Sequence, residues 1–131
     1  MKVQSTAAAV PILLIEDEPS VTAFLRAALE RRGYAVANAS SGAQGLDMLN
    51  GGTFSGVISD IRMPGAVNGA EVHAWIQKNR PELCARIILI SGDTANSETQ
   101  AFLAQSGTPC IEKPFRVQQL MSIVEKIFGK P

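Results

Sequence analysis

The feature that most limits what this chain can become is a series of short apolar runs, each of which stops on polar residues. Pro11-Ile12-Leu13-Leu14-Ile15 stops on Glu16-Asp17-Glu18, and Gly56-Val57-Ile58-Ser59 stops on Asp60. Ile87-Ile88-Leu89-Ile90 stops on Ser91-Gly92-Asp93, and Cys110-Ile111-Glu112 stops on Lys113-Pro114-Phe115. Runs this short, bounded by turn-forming residues, read as buried strands. Between them lie longer stretches of helical period. Strands alternating with helices predict an α/β fold, a single doubly wound five-stranded parallel sheet with right-handed crossovers and helices on both faces. In such a sheet ligands bind beyond the carboxyl ends of the strands, which is where all these polar residues fall.

The elements are expected as follows. The first strand is Ile12 to Ile15, apolar throughout as a doubly covered strand should be. A helix begins near Pro19-Ser20, with Val21, Phe24, Leu25, Ala28 and Leu29 as its buried stripe, and Gly33 stops it. Tyr34 to Ala39 is a thin edge strand. Ser40 or Ser41 caps a second helix carrying Ala43, Leu46 and Leu49, which ends at Gly51-Gly52. After the strand bearing Asp60, a third helix from about Gly69 to Asn79 buries Val72, Trp75 and Ile76, with His73 at its surface or rim. Arg86 to Ser91 is the fourth strand. Ser97 to Gln105 is a helix with a weak stripe at Ala101 and Phe102. Pro109 to Glu112 is the fifth strand. The last helix has the cleanest period, with Val117, Leu120, Met121, Val124, Ile127 and Phe128 on one face.

At 131 residues with 46% hydrophobic and 18% charged residues, the chain has the length and composition of one globular domain. Residues 1–10 read as an N-terminal tail or linker, 11–129 as the domain and 130–131 as its end. Twelve basic and twelve acidic residues cancel, leaving no positive excess for a nucleic-acid face. Cys84 and Cys110 are too few and too scattered for a disulfide framework or a zinc site, and are expected reduced and half-buried. The apolar stretch from Ala7 to Ile15 mimics a signal-peptide core, but acids follow it where a cleavage site would need small residues. No stretch is long enough to span a bilayer, so a cytoplasmic location and no membrane association are expected.

If the strands lie parallel, carboxylates, a hydroxyl and an ammonium meet at one rim. Oxygen ligands suit a hard divalent cation, and hydroxyl and cationic donors suit a phosphoryl group. The acidic cluster after the first strand, Asp60-Ile61-Arg62-Met63-Pro64-Gly65, Ser91 after the fourth strand and Lys113-Pro114-Phe115 after the fifth occur in this order. Together they resemble the receiver domain of two-component response regulators from Pro11 to Phe128.

The resemblance implies the flavodoxin-like strand order 2-1-3-4-5. It implies Asp60 as the phosphoacceptor, receiving a phosphoryl group from a histidine on a sensor histidine kinase or histidine phosphotransfer protein. It implies Mg²⁺ held by Asp17, Asp60 and the backbone carbonyl of Arg62, with Glu16 contributing through water. Lys113 and Ser91 would hold phosphoryl oxygens, while Arg62 and Asp93 would tune how long the acyl phosphate lasts. The domain would catalyse its own phosphorylation and dephosphorylation rather than act as a conventional enzyme. Phosphorylation would switch a surface near the fourth helix, fifth strand and fifth helix toward a downstream protein partner, with a homodimer also open.

Two features depart from the common pattern. Receivers usually carry an aromatic residue three positions before the lysine; here it is Cys110, whose thiol lacks the volume and ring of the usual switch. The loop Gly65-Ala66-Val67-Asn68-Gly69 is one residue longer than the commonest form. With Ser91-Gly92-Asp93 and Glu112-Lys113-Pro114-Phe115, these features are most similar to receivers attached to hybrid histidine kinases. Three residues follow Phe128, so no downstream output domain is expected, and the domain is either free-standing or part of a hybrid kinase. Two alternatives stay open: a pseudo-receiver that serves only as an interaction module, and an aspartate-nucleophile phosphohydrolase. The latter would look for a second acid where this chain has Arg62.

Overall fold

The computed structural model describes residues 10–63, 65 and 67–131. Residues 1–9 of the tail expected over residues 1–10, and Pro64 and Ala66 of the loop after Asp60, lie outside the described residues. Five strands form one sheet: β1 (Ile12–Ile15), β2 (Val36–Ala39), β3 (Gly56–Asp60), β4 (Ile87–Ser91) and β5 (Cys110–Glu112). Their order is β2-β1-β3-β4-β5, and every pairing is parallel. The helices are α1 (Pro19–Arg31), α2 (Gly42–Gly51), α3 (Gly69–Asn79), α4 (Ser97–Ser106) and α5 (Val117–Phe128), with a short 3-10 turn at Pro81–Leu83. This is the expected flavodoxin-like arrangement.

Alternation along the strands divides the core in two. Ile12, Leu14, Ile58, Ile88 and Ile90 turn toward Leu25 and Leu29 of α1 and Leu120, Met121, Val124 and Phe128 of α5. Leu13, Ile15, Val57, Ile87 and Leu89 turn toward Leu49 of α2 and Val72 and Ile76 of α3. Each such side chain, taken fully out of water, contributes roughly 1.5–3 kcal/mol. Both faces of β1, β3 and β4 are therefore covered, which is why these strands read as unbroken apolar runs.

Local signals place the helix ends. Pro19 opens α1; Ser41 Oγ caps α2 by accepting from the Gln44 N–H at 3.1 Å. Asn68 and Glu71 cap α3 reciprocally, Asn68 Oδ1 accepting from the Glu71 N–H and Glu71 Oε1 from the Asn68 N–H. Asn96 Oδ1 accepts from the Glu98 and Thr99 N–H groups at the start of α4, and Gly107 ends it with φ +65°.

Several expectations about buried faces are corrected. Phe24 and Val117 are exposed, each at 41%. Ala43 and Ala101 are also exposed; α2 buries Gly42, Gly45 and Leu49, and α4 buries Thr99. In α2 the close approach of Ile15 to Gly45 replaces side-chain packing by backbone contact, which a hydrophobic count does not register. Trp75 is only partly buried. His73, expected at the surface or rim, is buried with only 6% of its surface exposed, because its Nε2 finds the Thr108 hydroxyl at 3.0 Å and its ring meets Phe102 edge-on at 5.5 Å. Satisfying the polar atom removes most of the cost of burial. Cys84 and Cys110 are free and half-buried, as expected.

Candidate functional site

Register decides what meets at the rim. Ile15 pairs with Ser59, so Glu16 and Asp17 leave β1 beside Asp60 at the end of β3. Asp60 pairs with Ile90, which brings Ser91 one position further along β4. Ser91 pairs with Glu112, and the Lys113 N–H donates to the Ser91 carbonyl at 2.8 Å. The four separate polar stops of the sequence thus lie at one edge.

One carboxylate oxygen each from Glu16, Asp17 and Asp60 lies within 4.8 Å of the others. Lys113 Nζ donates to Asp60 Oδ2 at 2.7 Å and lies 3.3 Å from Glu16 Oε1, an ion-pair contact rather than an aligned hydrogen bond. Glu18 Oε1, on the outer side, also accepts from Lys113 Nζ at 3.3 Å. The Lys113–Pro114 peptide bond is cis. The Arg62 main chain is fastened to the acceptor, its N–H donating to Asp60 Oδ1 at 3.2 Å, while its guanidinium reaches outward to Asp93 Oδ2 at 3.6 Å. Ser91 is buried; its hydroxyl oxygen accepts from the Asp93 N–H at 3.0 Å, leaving the hydroxyl proton free to donate.

The electrostatics are those of a site short of positive charge. Burial is the main reason that Glu16 has its pKa pushed up to about 7; the Glu18 N–H pulls the other way, and the nearby Asp60 charge adds to the rise. Among the described residues, Glu16 Oε1 is a buried side-chain oxygen without a hydrogen-bond partner. Burial alone would lower the pKa of Lys113, but its hydrogen bond to Asp60 and the charges of Asp60 and Glu16 outweigh that and raise it. Three clustered carboxylates with a single ammonium beside them, and a buried Glu16 oxygen that no donor meets in an aligned hydrogen bond, fit a hard divalent cation such as Mg²⁺.

Close packing holds the acceptor in place from behind. A Cβ at Gly69 would lie 2.5 Å from the Asp60 carbonyl oxygen and 2.7 Å from Ile61 Cα, so only glycine lets the start of α3 come this near. At Gly92 a Cβ would meet Lys113 at 3.9 Å, an ordinary contact.

Sequence reasoning placed Asp17, Asp60, Glu16, Lys113 and Ser91 at this rim. It missed the contact of Glu18 with Lys113, and the bond from Thr94 Oγ1 to Glu112 Oε2 at 2.5 Å that ties the loop after β4 to β5. Glu18 is visible in sequence as the third of three consecutive acids. Its partner is not, because β1 and β5 are separated by two strands.

The chain is similar to known proteins over most of its length. The response regulator receiver domain family matches residues 12–125. The response regulator receiver protein CpdR of Brucella abortus is 32% identical over 116 residues, 88% of this chain and 94% of CpdR. Sensor kinase CckA of the same organism is 31% identical over 91% of this chain, which spans 12% of CckA. The transcriptional regulatory protein TcrA of Mycobacterium tuberculosis is 29% identical over 86% of this chain, which spans 44% of TcrA. Among solved structures, TrrA of Thermotoga maritima in complex with Mg²⁺-BeF aligns with a TM-score of 0.77 at 30% identity, covering 90% of this chain and 98% of that one. The receiver domain of a histidine kinase from Syntrophus aciditrophicus aligns with a TM-score of 0.81 at 26% identity, covering 92% and 91%.

Proposed function

Because this chain belongs to the response regulator receiver domain family of two-component systems, we propose that it accepts a phosphoryl group on Asp60 from a histidine of a sensor kinase or a histidine phosphotransfer protein. The observation that carries the reading is the 2.7 Å contact between Lys113 Nζ and Asp60 Oδ2 within the cluster of Glu16, Asp17 and Asp60 carboxylates. A buried carboxylate nucleophile, an ammonium against it and further carboxylates able to hold a divalent cation are what phosphoryl transfer needs.

Asp60 Oδ attacks phosphorus in line, and the leaving imidazole nitrogen departs opposite. Lys113 holds one equatorial oxygen of the transferred group, and the Ser91 hydroxyl donates to another. The Arg62 N–H, already on Oδ1, keeps the acceptor carboxylate from rotating. Asp17 and Asp60, the Arg62 carbonyl, and Glu16 through water would hold Mg²⁺. When bound, the ion neutralises charge on the phosphoryl oxygens. Arg62 and Asp93, joined at 3.6 Å on the outer lip, govern how water reaches the acyl phosphate and so its lifetime.

A domain of residues 11–129 acting in the cytoplasm, on a downstream protein rather than on nucleic acid, accords with the balanced charge. Among the described residues no helix is long and apolar enough to cross a membrane. Its output is a shift between two arrangements of the α4, β5 and α5 face, with a homodimer as one route of signalling. The likeness to CpdR supports a domain that works alone, and the likeness to CckA one that works within a hybrid kinase.

Incubation with acetyl phosphate and Mg²⁺, followed by intact-mass spectrometry and peptide mapping, tests this. One sustained phosphoryl adduct on Asp60, absent in Asp60→Asn, is expected. Rapid turnover of many equivalents would instead indicate a phosphohydrolase, and no adduct an interaction module without phosphorylation.

A further inference from the structure

Glu18 has no role in the reaction just described, yet its side chain is committed. It is the N-cap residue of α1, a position whose acceptor side chain ordinarily bonds the free N–H groups of the first turn, but it forms no such bond. Its carboxylate is turned to Lys113 Nζ instead, at 3.3 Å and 95 residues away in sequence. The Glu18 N–H, donating to Glu16 Oε2 at 3.1 Å, anchors the loop from which it projects. Lys113 therefore has acids on two sides: buried Asp60 and Glu16 inward, exposed Glu18 outward. The Glu18–Lys113 pair forms one wall of a cleft of about 590 Å³, also lined by Val21, Phe24, Gly92 and Phe115, which opens to solvent.

Resting on the phosphoacceptor reading of Asp60, we propose that Glu18 is a specificity-determining residue that disfavours small anionic phosphodonors. A free acyl phosphate reaching Lys113 from this cleft meets a fixed negative charge beside the cation it needs. A protein donor can set a cationic side chain against Glu18; a small anion cannot. The reaction itself is unchanged. With acetyl phosphate, a lone pair of an Asp60 carboxylate oxygen forms the new P–O bond, the P–O bond to the acetyl group breaks, and acetate leaves with the bonding pair. Glu18 touches none of these atoms and acts only on the charge of the approach.

The test compares wild type with Glu18→Gln, Glu18→Lys and Glu18→Asp, at Mg²⁺ concentrations shown by calorimetry in the absence of donor to saturate each chain. Initial rates of Asp60 labelling by acetyl phosphate are read by mass spectrometry at low and high salt. Glu18→Gln is expected to label about three- to tenfold faster at low salt, Glu18→Lys faster still, and Glu18→Asp at the wild-type rate. The gain should shrink at about 1 M salt, where the screening length is about 3 Å. Equal or slower labelling in both charge variants overturns the proposal. So does a gain that salt leaves untouched, since Glu18 would then be acting through the packing of Lys113 rather than through its charge. If no chain labels at Asp60, including wild type, the phosphoacceptor reading falls and this inference with it; equal labelling of all chains removes this inference alone.

Discussion

Lys113 Nζ meets Asp60 Oδ2 at 2.7 Å although the two residues are 53 positions apart and the strands that lead to them, β5 and β3, are separated by β4. The lysine stem passes over the end of β4, and its ammonium becomes the cation nearest a cluster of acids. Asp60 and Glu16 hold it there, and it compensates them in turn.

Removing that ammonium is therefore expected to destabilise the metal-free protein. Lys113→Met leaves Asp60 and Glu16 facing each other with less compensation. Breaking a fully buried pair costs about 3–5 kcal/mol, and partial solvation of Lys113 reduces this to about 1–2 kcal/mol. Urea denaturation checks it, and Mg²⁺ should restore part of the loss by binding the folded state. Unchanged stability in Lys113→Met would show that water already compensates the acids.

The rear of the acceptor has no room to spare. Gly69→Ala forces a Cβ against the Asp60 carbonyl and Ile61 Cα, an overpacking expected to cost about 1–3 kcal/mol and to slow labelling of Asp60. Gly92→Ala, with an ordinary contact to Lys113, is the control and should fold with near wild-type stability. Thermal denaturation of the two variants side by side decides the matter; equal losses would count against the packing argument.

Buried His73 gives stability a pH dependence of known sign. Burial lowers its pKa from the usual 6.5, so the unfolded chain takes up a proton more readily than the folded one. The contribution is complete above about pH 6.5 and is lost as the pH falls from there toward the folded-state value. Denaturation midpoints measured between about pH 7.5 and 5.5 should fall more steeply for wild type than for His73→Gln. Parallel profiles would mean that the ring is not desolvated.

Helix α4 is the least anchored of the five, with Thr99 buried and Phe102 and Leu103 half-buried. Phe102→Ala removes the ring that meets His73 and should speed amide hydrogen exchange in α4 by about tenfold or more while leaving α5 protected, a local opening rather than global unfolding. Equal acceleration in α5 would show that the two helices open together.

Much of this was legible in the chain itself. The strands β1, β3 and β4 announce themselves because both their faces are covered, so nearly every residue must be apolar and the run needs no period to be recognised. α5 is as clear, since one broad face packs on the sheet. Less legible were the faces of α1, α2 and α4. Phe24 fits the stripe of α1 by spacing yet stays exposed, with its ring set against Phe115 at 5.8 Å. Gly45 carries no hydrophobic signal yet sits against Ile15. His73 reads as polar, but a single hydroxyl from Thr108 suffices to let it inside.

Local pattern along the chain set the alternation of strands and helices, and hence that the residues ending each strand would share one edge. It determined that Asp17, Asp60, Ser91 and Lys113 would lie there, because a strand's polar terminus can only stand where its covering ends. Which of those groups touch follows instead from how the whole chain packs. Contacts between Lys113 and Asp60, or Lys113 and Glu18, depend on the twist of the sheet and the reach of a flexible side chain across an intervening strand. Distances of a few ångströms between residues far apart in the chain are set by packing everywhere else in the molecule, and no local pattern encodes them.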